Sequence, residues 1–280
     1  MYLITGANGQ LGTELCYLLD DMGLKYEATT LDNLDITNQQ QVFETLRRVQ
    51  PSHIIHCAAY TAVDKAEDEG RELNYKVNVD GTRYLATAAK ELGIPLVYIS
   101  TDYVFDGNLA DGEYLVDSPT NPMNEYGKAK LQGEEVVRDL LSNYYIIRTS
   151  WVFGKYGHNF VYTMRRLAKE RPQLTIVNDQ YGRPTWTRTL AEFVVFLLQN
   201  QSPYGIYHLS NDDACTWYEF AREILKDTDV EVLPVTSDEF PQKAYRPKHS
   251  VMSLQKAKRL GFTIPTWRDA LQQFLSSLND

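Results

Sequence analysis

The chain opens with MYLITGANGQLG (residues 1–12), the stretch that determines its class of fold. The apolar run YLIT predicts a buried β-strand, and three glycines follow it at Gly6, Gly9 and Gly12. Gly6 permits a tight turn, Gly9 lets the backbone approach a pyrophosphate, and Gly12 lets a helix pack against the strand. Unpaired amides at the start of that helix then face an anion. The stretch therefore predicts a turn that binds a dinucleotide, and the residues expected to contact it are Gly6, Asn8, Gly9, Gln10, Leu11 and Gly12.

Beyond this turn, short apolar runs alternate with longer helical patterns through the first half of the chain. Such alternation predicts parallel strands joined by crossover helices, an α/β fold with a Rossmann-type doubly wound parallel sheet. The predicted strands are Tyr2–Thr5, Tyr26–Thr30, His53–Cys57, Leu96–Ser100 and Tyr144–Thr149. The predicted helices are Thr13–Met22, Gln39–Val49, Leu73–Leu92, which Gly93 ends, and Glu125–Leu141.

After Trp151 the alternation becomes less regular, which predicts a second structural unit. Its predicted elements are a helix over Phe160–Glu170, a strand over Leu174–Val177, a loop over Gly182–Pro184 and a terminal helix over Thr266–Leu278. We expect residues 1–172 to form an NAD(P)-binding Rossmann domain, to which residues from about 186 to 210 return. Residues 173–280 are expected to form a smaller C-terminal lobe that binds the substrate.

Composition and charge exclude several classes of function. The 280 residues carry a net charge of −9, which repels polyanions, so nucleic acid is not an expected partner. Cys16, Cys57 and Cys215 are too far apart to predict a disulfide framework or a zinc cluster, and they fit a reducing cytoplasm. No apolar run of 18 residues and no apolar leader occurs, which predicts a soluble cytoplasmic protein without a membrane partner. The five histidines are scattered and predict no metal site.

The second predicted strand bears on the choice of nicotinamide nucleotide. It ends at Thr29 and Thr30, with Asp32 just beyond. An acid there would accept from the ribose 2′-hydroxyl of NADH, whereas an arginine would bind the 2′-phosphate of NADPH, and neither is cleanly placed. Both NADPH and NADH therefore stay open as cofactors. Asp35 and Ile36 are expected to meet the adenine, although Asp35 is equally readable as the cap of the next helix.

Catalytic side chains are predicted at Thr101, which ends the fourth strand region, and at Tyr126 and Lys130. Tyr126 and Lys130 are four residues apart and share a helix face, so we expect the ammonium to lower the pKa of the phenol and make it a proton donor. Thr101 would hold a substrate carbonyl while hydride arrives from the nicotinamide. The alternative is that Tyr126 and Lys130 form a purely structural helix face. However, open sheets bind ligands at the carboxyl ends of their strands, where Thr101 and the Tyr126–Lys130 pair are both expected to lie.

These motifs together resemble the dTDP-4-dehydrorhamnose reductases, within the extended short-chain dehydrogenase/reductase family, and the similarity runs nearly end to end. The stretches that carry the resemblance are Gly6–Gly12, Cys57–Glu67 (CAAYTAVDKAE), Ser100–Phe105 (STDYVF), Tyr126–Lys130, Arg148–Phe153 (RTSWVF), Asn178–Thr185 (NDQYGRPT), Arg246–Lys248 and Pro265–Trp267.

That resemblance implies an activity and a set of residue roles. The activity would be reduction, by NADPH or NADH, of the C4 keto group of dTDP-4-dehydro-L-rhamnose, a nucleotide sugar, in a monomer or homodimer. The catalytic residues it implies are Thr101, Tyr126 and Lys130. The residues it assigns to the cofactor include Ala58, Ala59, Tyr60, Tyr126 and Lys130. The residues it assigns to the substrate are Val63, Thr101, Asp102, Tyr103, Tyr126 and Trp151.

Some of these roles have alternatives within the chain. The alternative for Trp151 is packing between the lobes, and the alternative for Val63 is a core position. The charge that binds the substrate diphosphate is expected from Arg183, Arg188, Arg246 or Lys248.

A divalent metal occurs in some members of that family, at a dimer contact built from glutamates. Glu14 and Glu192 occupy comparable positions, but residues 276–280 supply no further glutamate. We therefore expect no metal, and interpret both glutamates as helix-surface charge.

Two other functions compete with reduction. A nucleotide-sugar dehydratase of the same fold would need a glutamate after the acid, and here Tyr103 follows Asp102. A non-catalytic subunit, like the regulatory β subunit of methionine adenosyltransferase, is similar in sequence to these reductases. The presence of Thr101, Tyr126 and Lys130 favours an enzyme.

Overall fold

A six-stranded parallel sheet forms the centre of the computed structural model, which describes residues 1–278. In chain order the strands are β1 (Tyr2–Thr5), β2 (Tyr26–Thr29), β3 (His53–His56), β4 (Leu96–Thr101), β5 (Tyr144–Thr149), β6 (Val152–Phe153), β7 (Gln173–Val177), β8 (Tyr181–Gly182), β9 (Thr185–Trp186), β10 (Gly205–His208), β11 (Cys215–Thr216) and β12 (Glu231–Val235). The central sheet has the order β10-β5-β4-β3-β1-β2, and its neighbouring strands are parallel. The predicted doubly wound sheet is confirmed.

Helices cover both faces of this sheet. In chain order they are α1 (Gln10–Asp21), α2 (Gln39–Val49), α3 (Arg71–Tyr75), α4 (Thr82–Leu92), α5 (Glu125–Leu140), α6 (Phe160–Glu170), α7 (Thr187–Gln199), α8 (Trp217–Ile224), α9 (Gln255–Arg259) and α10 (Trp267–Ser276). Within residues 1–278, none of them combines the length and apolar character that a bilayer crossing requires.

The helix predicted over Leu73–Leu92 is interrupted. A π-helical turn over Lys76–Gly81 separates α3 from α4, and the side chain of Ile36 packs against Gly81 within it. Such turns widen the helix locally and often lie beside functional sites. The predicted end at Gly93 is confirmed, because Gly93 caps α4 in the left-handed conformation with φ of 66°.

The strand order places a crevice between β1 and β3. β2 lies on one side of β1, whereas β3, β4, β5 and β10 lie on the other side. The chain segments that follow β1 and β3 therefore run in opposite directions away from the gap between these two strands. The glycine turn follows β1, and residues 57–60 follow β3 at the same edge. Ligands of open α/β sheets bind at such a switch point.

Backbone contacts explain two of the three glycines in the first turn. Gly6 has φ of +67°, and a Cβ there would lie 2.7 Å from the main chain of Ala58. A Cβ on Gly12 would lie 2.1 Å from the carbonyl oxygen of Gly6. Only glycine permits these approaches, so the predicted tight turn and close packing of α1 are confirmed.

Alternating residues of the strands build two core layers. Leu3 and Ile54 point to the layer formed with α2, α4 and α5. Ile4 and Ile55 point to the opposite layer, formed with α1 and α7. Because α7 packs on α1 and β10 pairs with β5, residues 187–208 lie against the first half of the chain.

A third core supports the C-terminal part. Phe153, Val161 and Met164 pack there with Phe220 and Trp267. The strand pair β7 and β12 is parallel and lies beside it. Helix α6, which precedes residue 172 in the chain, therefore contributes side chains to this third core.

We expect Gly12→Ala to lower the free energy of unfolding by about 1–3 kcal/mol, because the new methyl group meets a main-chain oxygen that cannot move freely. The matched variant is Gly9→Ala, whose Cβ would lie 3.2 Å from the same oxygen and should cost less. Urea denaturation of both variants measures the difference. Equal losses would contradict this account of the turn.

Candidate active site

The first turn of α5 is fixed from three directions. The side chain of Asn124 caps the helix by accepting from the Gly127 amide at 2.7 Å, and its amide group donates to the Tyr245 carbonyl at 2.9 Å. Glu67 accepts from the Glu125 amide at 2.9 Å. Tyr126, which follows these capped residues, is therefore held at a defined place beside the end of β4.

Thr101 and Tyr103 lie against this turn. The Thr101 hydroxyl donates to Asp102 at 3.1 Å and accepts from the Tyr103 amide at 3.1 Å. The Tyr103 ring meets the Tyr126 ring edge to face, with centroids 6.0 Å apart. A Cβ on Gly127 would lie 2.3 Å from the Tyr103 carbonyl oxygen, so this approach requires glycine. The structure thus brings together Thr101 and Tyr126, 25 positions apart in the sequence.

Lys130 is buried beneath the same strand end. Its ammonium donates to the Ile99 carbonyl at 2.7 Å and lies 4.0 Å from the centre of the Tyr98 ring. Burial lowers the pKa of Lys130 to about 7, and the nearby Glu134 carboxylate and Cys57 thiol oppose that fall. A large part of the Lys130 population is therefore still charged at neutral pH.

The expectation that Lys130 lowers the pKa of Tyr126 is wrong for this arrangement. Burial raises the pKa of the Tyr126 phenol above its ordinary range, the Asp102 carboxylate raises it further, and hydrogen bonding with Thr101 only partly opposes them. The Lys130 ammonium is held instead by a main-chain carbonyl and an aromatic ring. The four-residue spacing places Tyr126 and Lys130 on one face of the helix, but it does not determine which groups the Lys130 ammonium contacts.

Asp102 lies deeper than the sequence indicated. Its residue is 3% exposed, and its Oδ2 atom is buried without a hydrogen-bond partner among residues 1–278. Burial raises the pKa of Asp102 to about 6, against the opposing hydrogen bonds of Ser250 and Thr101. Its contact with a sugar, which the resemblance implied, stays a prediction.

The dinucleotide turn has the features that a pyrophosphate requires. Helix α1 begins after Gly9, and no side chain caps its first amides. Asn8 is exposed and Gln10 partly so, whereas the Leu11 side chain packs into the core. Leu11 can therefore face a phosphate only through its main-chain amide.

Residues 58–60, which the resemblance assigns to the cofactor, follow β3 at the crevice, and their contact with a cofactor stays a prediction. The Ala58 amide donates to Thr5 at 3.3 Å. The buried side chain of Asn78 accepts from the Tyr60 amide at 3.2 Å and donates to its carbonyl at 3.0 Å. Asn78 was not predicted from the sequence, although an asparagine on the apolar face of a predicted helix is a signal for such a role.

Asp35 and Ile36 form part of a turn before α2. Asp35 accepts from the amide of Thr37 at 2.9 Å and from its hydroxyl at 2.8 Å. The alternative that Asp35 caps the helix is wrong, since the cap of α2 is Asn38. The Ile36 side chain is buried in the core and leaves mainly its backbone for contact with an adenine.

Trp151 and Val63 are both partly exposed. The Trp151 indole stacks on that of Trp217, with ring centroids 3.7 Å apart, and it packs over Gly182. The backbone φ of Trp151 is +48°. This contact supports the alternative in which Trp151 packs against the C-terminal part of the chain. A sugar contact by either residue stays a prediction.

The four candidate cations for a diphosphate differ in availability. Arg183 is buried and pairs with Glu113 at 2.6 Å, and Arg188 pairs with Glu192 at 2.8 Å. Arg246 contacts Asp64 at 2.8 Å, and Lys248 is exposed with its nearest carboxylate, that of Asp179, 3.8 Å away. Arg183, Arg188 and Arg246 are therefore each paired with a close carboxylate, whereas the exposed Lys248 is freest to bind an anion. Which of the four binds the diphosphate stays a prediction.

The two glutamates considered for a metal lie on either side of Arg188. Glu14 is 3.7 Å from its guanidinium and also accepts from Thr187 at 3.2 Å. No cluster of three or more metal-binding side chains occurs within residues 1–278. Residues 276–280 supply no glutamate, and the last two of them, Asn279 and Asp280, lie outside the described residues. Cys16, Cys57 and Cys215 are free thiols.

Comparison with known proteins identifies the family. The family model for the RmlD substrate binding domain matches residues 1–279. The chain belongs to the RmlD family. A similar curated member is the spore coat polysaccharide biosynthesis protein SpsK of Bacillus subtilis, 42% identical over 98% of this chain and 96% of that protein.

Two further RmlD-family proteins carry an enzyme name. The dTDP-4-dehydrorhamnose reductase of Aggregatibacter actinomycetemcomitans is 40% identical over 96% of each chain. A crystal structure of the dTDP-4-dehydrorhamnose reductase of Bacillus anthracis in complex with NADP is 43% identical, with a TM-score of 0.94 over 99% of this chain and 98% of that one. Identity at this level over full length makes the resemblance noted in the sequence a confirmed family relation.

Asp102 makes stability depend on pH in this member of the RmlD family. Because its folded pKa is raised from 3.8 to about 6, its contribution to stability is complete below about pH 4 and is lost as pH rises through about 6. We therefore expect the free energy of unfolding of the wild type, relative to Asp102→Asn, to fall between about pH 4 and pH 7. Urea denaturation across that range measures it.

The Ser250→Ala variant tests the same point independently. It removes a hydrogen bond that lowers the pKa of Asp102, so the pH window should move upward. A difference between wild type and Asp102→Asn that stays constant with pH would contradict the assignment.

Proposed function

We propose that this chain reduces the C4 keto group of dTDP-4-dehydro-L-rhamnose to give dTDP-L-rhamnose, using NADPH or NADH. The observation that carries the proposal is the meeting of Thr101, Tyr126 and Lys130 at the carboxyl end of β4, beside an uncapped glycine turn. Membership of the RmlD family and full-length similarity to named reductases support the same substrate.

The nicotinamide nucleotide would lie across the crevice between β1 and β3. The turn that Gly6, Gly9 and Gly12 permit would cradle its pyrophosphate, with the uncapped amides at the start of α1 facing the phosphates. Residues 58–60 would line it, and Asp35 with Ile36 would meet the adenine. When bound, the nicotinamide supplies the hydride. Lys130 has N–H donors beyond the one bonded to Ile99, and these would bind the ribose.

Tyr126 would supply the proton. Its raised pKa keeps the phenol protonated at neutral pH, so the proton is present when a substrate arrives. Such a phenol gives up its proton only to a strong base, and the alkoxide that forms as the keto group is reduced is one. Thr101 would hold the carbonyl oxygen beside the phenol, and its hydroxyl, which opposes the rise in the pKa of Tyr126, would stabilise the resulting phenolate.

The nucleotide sugar would lie on the side of the C-terminal lobe. Val63, Asp102, Tyr103 and Trp151 would contact the sugar, where the flat apolar face of an indole suits a deoxysugar ring. Arg246 or Lys248 would face the diphosphate, and local cations are needed because the whole chain is acidic.

The proposed domain organisation assigns dinucleotide binding and sugar-nucleotide binding to different parts of the chain. Residues 1–172 with residues from about 186 to 210 would bind the dinucleotide, and residues 173–280 would bind the sugar nucleotide. The nucleotide sugar is the proposed partner, with neither nucleic acid nor membrane, in a cytoplasmic monomer or homodimer. Free thiols are consistent with a reducing compartment.

A cofactor-consumption assay tests the proposed function. NADPH and NADH should each be tried with a set of 4-keto-6-deoxy sugar nucleotides, and the products identified. We expect oxidation of the cofactor only with such a sugar, and dTDP-L-rhamnose as product. Cofactor binding without turnover would overturn the proposal in favour of a regulatory subunit, whereas elimination of water without net cofactor oxidation would favour a dehydratase.

We expect Tyr126→Phe to lower kcat by about a hundredfold or more while leaving cofactor affinity nearly unchanged, given the usual contribution of a general acid. Tyr26→Phe is the matched control, because that phenol bonds to Asp20 at the amino end of β2, the edge of the sheet opposite the proposed site, and its loss should leave kcat unchanged. Steady-state kinetics with a cofactor titration measures both. Undiminished turnover in Tyr126→Phe would remove Tyr126 from the mechanism.

A further inference from the structure

A carboxylate with no assigned role lies one helical turn after Lys130. Glu134 is 0% exposed on α5. Its carboxylate accepts from the Ser100 hydroxyl at 2.6 Å and from the Arg148 guanidinium at 2.9 and 2.7 Å. A fully buried carboxylate is costly, so its place directly behind the reacting side chains calls for a physical explanation.

We propose that Glu134 is a positioning residue for the reduction: its buried carboxylate, one helical turn after Lys130, supplies negative charge near that ammonium and ties α5 to the end of β4. The inference rests on the proposed function, because Lys130 and the end of β4 act only if the chain is a reductase. Glu134 itself touches neither cofactor nor substrate in this scheme.

The first line of support is the way β4 and α5 are joined. Successive residues of β4 contact the helix: the Tyr98 hydroxyl donates to the Lys130 carbonyl at 3.3 Å, the Ile99 carbonyl accepts from the Lys130 ammonium, and Ser100 donates to Glu134. Ser100 directly precedes Thr101. The Glu134 carboxylate therefore helps to determine the position of Thr101 along the axis of α5.

The second line of support is the charge around Lys130. The groups that face it are Glu134 from α5, His56 and Cys57 from the end of β3, and Tyr98 from β4. Burial lowers the pKa of His56 to about 3 and raises that of the Cys57 thiol, so both are neutral at pH 7. Within residues 1–278, Glu134 is the carboxylate that opposes the loss of the Lys130 proton.

Arg148 is the direct partner of the Glu134 carboxylate. Both guanidinium contacts go to the carboxylate, and a further N–H donates to the Val116 carbonyl at 3.2 Å. A buried pair of this kind is usually replaceable by apolar residues without loss of stability. Its presence beside a buried lysine therefore fits a functional need for a carboxylate better than a need for stability.

The sign of the expected effect follows from the pKa of Lys130, which is about 7. Removing the Glu134 charge removes an influence that raises this pKa, so Lys130 should lose its proton at lower pH. Fewer molecules would then carry the ammonium at neutral pH, and the alkaline limb of the pH profile should move downward.

The experiment uses two variants of the pair. Glu134→Gln removes the charge but leaves Arg148 buried and unpaired, and this can cost about 3–5 kcal/mol or prevent folding. The double variant Glu134→Leu with Arg148→Met removes both charges and keeps the volume apolar, so it preserves the fold. The matched control is Glu113→Gln, which breaks another pair of a buried arginine, that of Arg183.

Two readouts separate positioning from structure. The first is the titration of Lys130 in the protein without cofactor, by NMR of ¹³C-labelled lysine assigned with Lys130→Met. The second is the pH dependence of kcat/KM for the cofactor. In both we expect the midpoint to fall by about 1 pH unit in the two Glu134 variants, within the usual effect of a close opposite charge, and to be unmoved in Glu113→Gln.

An unchanged Lys130 midpoint in a folded Glu134 variant would overturn the proposal, whatever its activity. A uniform loss of activity without a shift would assign Glu134 to structure alone and would also overturn it. Absence of turnover in the wild type would instead overturn the proposed function. The NMR titration distinguishes these failures, because it needs no reaction.

Discussion

The close packing of α5 on β4 is the constraint on which the site depends. Glycines permit it at two levels of the helix: a Cβ on Gly127 would lie 2.3 Å from the Tyr103 carbonyl oxygen, and one on Gly133 would lie 2.2 Å from the Tyr98 hydroxyl. Between these contacts Lys130 reaches the Ile99 carbonyl. If the helix stood farther from the strand, this lysine would enter water, and its charge would no longer respond to its surroundings.

Links between the two parts of the chain complete the site around this contact. Asn124, which caps α5, donates to the Tyr245 carbonyl, and Asp64 accepts from Arg246 and from the Ala244 amide at 3.0 Å. The segment after β12 thus crosses the front of the catalytic helix. If residues 173–280 bind the substrate as proposed, these links would align a sugar with Tyr126, because the Asn124 contact ends on the same helix turn that positions the phenol.

The charged groups near the site act on their immediate neighbours, whatever the net charge of the chain. The net charge of −9 repels anions at a distance, yet each buried charge near the site has a specific partner or an altered pKa. Burial is the main cause of these shifts, since removing water penalises the charged form of any group. A lysine with its pKa near 7 and a carboxyl with its pKa near 6 are the result, and both lie at the carboxyl end of β4.

The sequence by itself determined the sheet class, the glycine turn and the pairing of Tyr126 with Lys130 on one helix face, because these depend on local periodicity and spacing. It also indicated the family. It did not reveal that the Lys130 ammonium ends on β4, that Asp102 is buried, or that Asn78 holds the main chain of Tyr60. Only the tertiary structure decided these, since they depend on how closely a helix and a strand distant in the sequence approach, and on how much water that approach excludes.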